Sequence, residues 1–145
     1  MRVLVQRVRY ARVKVDGETI GAIDEGLLLL VGIKDGDTDE DLAWMAKKCA
    51  QLRIFTDADG KMNDSDVDVG GGVLVVSQFT LYGNAKKGNR PSFVEAGQPE
   101  FASAACDRFV TMLKAHVATV QTGRFGADMK VELLNDGPVT IWLER

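Results

Sequence analysis

The residues best suited to chemistry gather in two short runs of this 145-residue chain. The first, Ser77, Gln78, Phe79, Thr80, Leu81 and Tyr82, follows an apolar stretch at 73–76. Hydroxyl and amide side chains are costly to bury unless hydrogen-bonded, and strand ends are where α/β folds usually meet ligands. A strand that leaves the core and turns polar explains the run equally well. Ser77 and Thr80 are nucleophiles by type, yet no histidine or lysine stands in the run to activate them. The second run, NDGPVT at 135–140, places Gly137-Pro138 between two apolar segments and reads as a turn. By spacing alone its peptide bond is expected to be trans, because only about 5–6% of X-Pro bonds in folded proteins are cis.

Other groupings look like sites and are better explained without ligands. Asp64, Asp66 and Asp68 have the spacing of a calcium loop, but Val69 and Val75 stand where that loop needs Gly and Glu. A solvated acidic loop is expected. Gly70, Gly71 and Gly72 lead into a strand, so no helix start follows to hold a phosphate, and a flexible strand entry is expected. His116 is the only histidine and falls near a helix end, where the dipole favours it. Cys49 and Cys106 make neither a disulfide framework nor a zinc motif and read as buried thiols in a reducing compartment. No metal and no cofactor is expected.

The elements that must position these runs follow from periodicity. Residues 2–9 alternate as a strand with Val3, Val5 and Arg7 on one face, and an arginine in that row is unusual. Asp16-Gly17 predicts a hairpin turn, and residues 27–33 a central strand covered on both faces. Thr38 and Asp41 form a capping-box variant ahead of Leu42, Met45, Ala46, Cys49 and Leu52 at helical spacing. A short strand at 52–55, a loop to Gly72 and a strand at 73–79 come next. Lys86, Lys87 and Arg90 lie in a polar loop, and Pro99 opens a second helix of about five turns. Strands at 119–122, 129–134 and 139–144 complete the chain. Seven or eight strands and two helices predict one three-layer α/β/β domain over residues 1–145, with mostly antiparallel or mixed sheets and helices on one face.

Composition narrows the partners. The net charge is −3, which argues against coating nucleic acid through a broad basic face. Residues 34–68 carry 5 basic and 10 acidic groups, so the acidity is confined to the middle third and the rest stays open to an anionic ligand. The N-terminus has no continuous apolar run and no stretch is long enough to span a membrane, so no signal peptide and a cytoplasmic location are expected.

Taken together, VQRV at 5–8, KMN at 61–63, VLVVSQFTLY at 73–82, GNRPSF at 88–93, TGRF at 122–125 and NDGPVT at 135–140 resemble the D-aminoacyl-tRNA deacylase family, in family order and over essentially the whole chain. The resemblance implies a homodimer that hydrolyses the ester joining a D-amino acid to the terminal adenosine of tRNA, with glycyl-tRNA also accepted. It implies no DNA partner and no membrane. It implies a cis Gly137-Pro138 bond whose carbonyls enter the partner subunit's site as a chiral filter that rejects L side chains. Arg7 then supports the filter, since a guanidinium offers five donors in a fixed fork. Ser77, Gln78, Phe79 and Thr80 become the catalytic run, with an oxyanion site from the N–H groups around Phe79 and Thr80 and assistance from the RNA 2′-OH. Phe125 and Met129 are implied at the adenosine pocket, and Lys86, Lys87 and Arg90 are candidate tRNA contacts. One departure is Gly126, where the family commonly has Ala, which loosens the pocket floor. The alternatives are a non-catalytic dimeric RNA-end or nucleotide-binding module and a general hydrolase of D-amino acid esters.

Overall fold

A computed structural model describes residues 1–145. Strand β1 (Arg2–Val15) runs through Asp16-Gly17 into β2 (Glu18–Ile23), and both turn residues have positive φ, 50° and 78°. That is the conformation a two-residue hairpin demands and Asp and Gly tolerate. After β3 (Gly26–Gly32) comes α1 (Asp39–Gln51), started by the reciprocal Thr38–Asp41 capping box. Then follow β4 (Phe55–Thr56), β5 (Met62–Asp64), α2 (Asp66–Val69), β6 (Gly72–Ser77), a 3-10 turn (Phe79–Tyr82), α3 (Pro99–Lys114), β7 (Thr119–Thr122) and β8 (Lys130–Glu144).

The main strands form one hydrogen-bonded sheet in the order β2-β1-β3-β6-β7, with β8 on β1, rather than two separately bonded sheets. The pairing is mixed: β3–β6 and β6–β7 are parallel, and the pairs made by β1 are antiparallel. The backbone of β2 at Gly21 packs against the Thr122 carbonyl of β7, so the sheet curls until its two ends meet. Each face has its own core. Val3, Val5, Leu27, Leu29, Val73 and Val75 point toward α1 and α3, whose apolar stripes include Leu42, Met45, Phe109 and Leu113. Val8, Val13, Leu28, Leu74 and Val76 fill the other side beneath Val131 and Leu133. Both long helices therefore lie on one face, and the continuous apolar runs of β3 and β6 reflect strands buried twice over.

Several boundaries differ from expectation. The first strand reaches Val15 because β8 pairs with nearly its whole length. Leu52 caps α1, so the short strand begins at Phe55. The acidic loop holds a one-turn helix: Ser65 and Asp68 form a capping box, and Asp66 is fully buried. Gly70 caps α2 in the left-handed conformation with open space around it, whereas Gly71 and Gly72 are close-packed, since a Cβ at Gly71 would strike the Asp66 carboxylate and one at Gly26 the Gly72 carbonyl. Two differences bear on the site: β6 stops at Ser77 instead of Phe79, and NDGPVT lies within one strand, β8, rather than at a turn between two.

Candidate active site

The end of β6 is fixed by backbone pairing and by what lies below it. Val31 of β3 stands opposite Ser77, and the Gln78 N–H donates to the Val31 carbonyl at 2.7 Å. At Gln78 (φ −143°, ψ 77°) the chain turns out of the sheet into the 3-10 turn. Tyr82 anchors that turn: its ring is buried against Gly32, and the Arg2 guanidinium lies 4.3 Å over it while donating to the Leu81 carbonyl at 3.1 Å. Glu144 holds Arg2 from the other side at 2.8 Å.

This scaffold leaves the reactive types in an open cleft. Ser77 is half-buried and its hydroxyl meets the Cys106 thiol of α3, which burial pushes up to about 11 although the hydroxyl acts in the opposite direction. Gln78 donates through Nε2 to the Thr80 hydroxyl at 2.5 Å. Phe79 is 52% exposed and meets Phe93 edge to face, with ring centres 5.1 Å apart. Phe79 and Thr80 are the first two residues of the 3-10 turn, so their N–H groups have no partner within it. Two adjoining cavities open here. One of 290 Å³ is bounded by Ser77, Gln78, Phe79, Thr80, Phe125 and Met129. The other, of 380 Å³, shares Ser77, Phe79, Phe125 and Gly126 and extends to Phe93 and Pro99. Gly126 lies between them at φ +74°, a left-handed conformation that an alanine there would strain.

No histidine or lysine lines this cleft, and its one carboxylate, Asp128, is open to solvent and paired with Lys130 at 2.8 Å. His116 lies beyond α3 in a separate hollow with Gln51, Arg53 and Ser65. Lys86, Lys87 and Arg90 are exposed on the loop after the 3-10 turn, a loop pinned by paired Asn84–Ser92 backbone hydrogen bonds of 2.8 and 2.9 Å.

The second run is held elsewhere. In the β1–β8 ladder Val8 faces Asn135 and Gln6 faces Thr140, so the single residue Arg7 stands opposite the four residues 136–139. Those four bulge out, and Arg7 holds them. Its Nε donates to the Asp136 carbonyl at 2.8 Å and its Nη1 to the Ile54 carbonyl at 2.5 Å, tying the bulge to the segment after α1. Arg9 grips the Asp136 carboxylate at 3.0 Å. Asn135 closes the bulge from inside: its Oδ1 accepts from the Val139 N–H at 2.7 Å, and its Nδ2 donates to the Val139 carbonyl and the Thr140 hydroxyl. The Gly137-Pro138 bond is cis, against the expectation from spacing and in keeping with the resemblance, and both residues are exposed. Asn135 and the Ile54 carbonyl are the structural partners that residue types did not single out. The NDGPVT motif contained the first, whereas a backbone carbonyl leaves no signal in sequence.

Register separates the two runs within one chain. Arg7 pairs with Leu27, which pairs with Val73, four residues short of Ser77, and β8 is three strands from β6. At about 3.3 Å per residue and 4.8 Å per strand, Gly137 lies roughly 20 Å from Ser77. The structure thus brings together Ser77, Gln78, Phe79, Thr80, Phe125 and Met129, and separately Arg7, Gly137 and Pro138.

A sequence profile described as D-Tyr-tRNA(Tyr) deacylase matches residues 4–144. The chain belongs to that family. A D-aminoacyl-tRNA deacylase of Chloroherpeton thalassium is 63% identical over 99% of this chain and 95% of the relative. One of Salinibacter ruber is 55% identical over 100% and 97%. A solved structure titled c-Myc DNA Unwinding Element Binding Protein superposes with a TM-score of 0.95 at 42% identity, covering 100% of this chain and 99% of the other. The two runs described above thus lie in a chain that matches deacylase relatives along nearly its full length. No helix is long and apolar enough to cross a membrane.

Proposed function

We propose that residues 1–145 act as one D-aminoacyl-tRNA deacylase domain, cytoplasmic and homodimeric, that removes D-amino acids from tRNA as translation quality control and needs no cofactor. The observation that carries this reading is the cleft at the end of β6, which offers two free N–H groups and a hydroxyl with no histidine or lysine to activate it, its one carboxylate, Asp128, being open to solvent and paired with Lys130. An ester carbonyl seated there has its developing oxyanion stabilised by the Phe79 and Thr80 N–H groups. The terminal adenosine packs against Phe125 and Met129, which places its 2′-OH beside the ester, and that hydroxyl directs water onto the carbonyl. The tetrahedral intermediate collapses by breaking the ester C–O bond; the 3′-oxygen takes a proton and the free amino acid leaves. Ser77 and Gln78 orient the substrate.

The roughly 20 Å between the two runs supports a dimer, because a Gly137-Pro138 filter can act only in another subunit's cleft. The backbone carbonyls of the bulge meet an L side chain and leave open space for a D side chain. Glycine, with no side chain, passes the filter, so glycyl-tRNA is also a substrate. The curled sheet supports the expected α/β/β layering, with its two halves facing each other across the second core. Lys86, Lys87 and Arg90 contact a few phosphates near the acceptor end. The net charge of −3 speaks against a DNA duplex as partner. The test is matched D- and L-tyrosyl-tRNA with purified protein, reading ester remaining: loss of the D ester alone is expected, and binding without loss of either ester refutes the assignment.

A further inference from the structure

We infer that the groove at the C-terminal end of α1, built on Trp44, Lys47, Lys48 and Arg53, binds phosphates of the single-stranded tRNA 3′ segment whose last nucleotide lies in the partner subunit's cleft. This inference rests on the deacylase reading above.

The groove has a volume of 440 Å³ and its lining, completed by Gln51 and Leu52, contains three cations and no carboxylate. That is unexpected in the segment that carries the protein's acidity. The carboxylates of the first turn of α1 are already occupied: Asp39 pairs with Arg108, and Asp41 and Glu40 with Arg145. Lys47, Lys48 and Arg53 have no ion-pair partner within 4.0 Å. Arg53 is instead steadied by neutral oxygens of Asn63, the carbonyl at 2.8 Å and the side-chain amide oxygen. Trp44 is 37% exposed, and Lys48 and Arg145 lie over its ring at 5.7 and 5.0 Å. Unpaired cations around an exposed aromatic face suit single-stranded RNA, whose phosphates take the charge and whose bases stack.

Position selects this occupant over a free anion. Arg53 directly precedes Ile54, whose carbonyl shares the Arg7 guanidinium with the Asp136 carbonyl. The groove therefore begins one residue from the anchor of the filter. When Gly137 and Pro138 enter the partner's cleft, the groove is carried to the rim of that cleft. The 3′ segment then lies between Lys86, Lys87 and Arg90 of one subunit and this groove of the other.

The test compares wild type, Lys47→Ala/Lys48→Ala and Lys47→Arg/Lys48→Arg on D-tyrosyl-tRNA and on D-tyrosyl-adenosine, which lacks the upstream phosphates. Two contacts to single-stranded phosphates contribute about 1.4 to the slope of log affinity against log salt. Between 50 and 200 mM salt, wild type should thus lose roughly sevenfold more affinity for tRNA than the alanine variant. The alanine variant should raise KM for D-tyrosyl-tRNA with kcat and the adenosine substrate unaffected, and the arginine variant should restore KM. An unchanged KM and salt slope, with wild type active on D-tyrosyl-tRNA, refutes the groove and leaves the deacylase standing. A KM raised equally on both substrates also refutes it, by showing a structural effect. Inactivity of wild type on both substrates refutes the deacylase reading and this inference with it.

Discussion

Arg7→Met keeps an apolar stem in the row of Val3 and Val5 while removing the fork that joins the Asp136 and Ile54 carbonyls. A hydrogen bond from a charged donor contributes about 1.5–3 kcal/mol, and at a half-buried site water replaces part of it, so the lower figure applies to each bond. The two together amount to about 3 kcal/mol, or a fall of about 9 °C in Tm for a chain of this size. Only the bond to Asp136 bears directly on the proposed filter. Losing about 1.5 kcal/mol of restraint there should shrink the D-over-L ratio of kcat/KM roughly tenfold. The assay is ester loss from D- and L-tyrosyl-tRNA, with a thermal melt of the same sample. Arg9→Gln is the control: Arg9 holds Asp136 through an exposed ion pair, and such pairs contribute about 0–1 kcal/mol. An Arg7→Met protein that melts about 9 °C lower yet keeps the wild-type ratio refutes the claim that this guanidinium holds the filter.

Three further outcomes are expected. Asn135→Ala strands the buried Val139 N–H and should cost about 2 kcal/mol in a denaturant melt, whereas Asn135→Asp, which keeps the acceptor, should cost less. Thr80→Ala should lower kcat only a fewfold, while a terminal 2′-deoxyadenosine should abolish most turnover; equal rates on the deoxy and ribo substrates would rule out assistance by the RNA hydroxyl. Asp66 is raised from 3.8 to about 7 by burial and by the nearby Glu25 charge. The folded state thus holds a proton that the unfolded state releases, so the contribution of Asp66 to stability is fully present below about pH 4, falls as pH rises toward 7 and is level above it. Asp66→Asn should flatten that decline by a few kcal/mol, and a variant with the wild-type pH slope between 4 and 7 contradicts the assignment.

What was legible in the sequence was local. Asp16-Gly17 announces its turn because few residues accept positive φ, and Thr38 with Asp41 announces α1 because a capping box is written in four consecutive residues. Ser65 with Asp68 carried the same signal for α2, but a single turn is too short for helical periodicity to show. The 3-10 turn was hidden because Phe79, Thr80 and Tyr82 are types that favour strands, and only the burial of Tyr82 beneath Arg2 overrides them. The bulge in β8 was hidden for a deeper reason. It exists only in the register against β1, more than a hundred residues away, where Arg7 faces four residues at once. The site residues were recognised through motif resemblance, and their division into two separate places became visible only from strand order.

That bulge also governs how the sheet meets its surroundings. Strand β8 pairs on one side only, with β1, which makes its 15 residues the longest edge of the sheet. A straight edge of that length is a template on which further chains can add, the first step of runaway polymerisation. Residues 136–139 break it into two short ladders, and the proline among them has no N–H to offer an incoming strand. The same four residues proposed as the chiral filter thereby keep a concentrated, β-rich protein from joining edge to edge without limit.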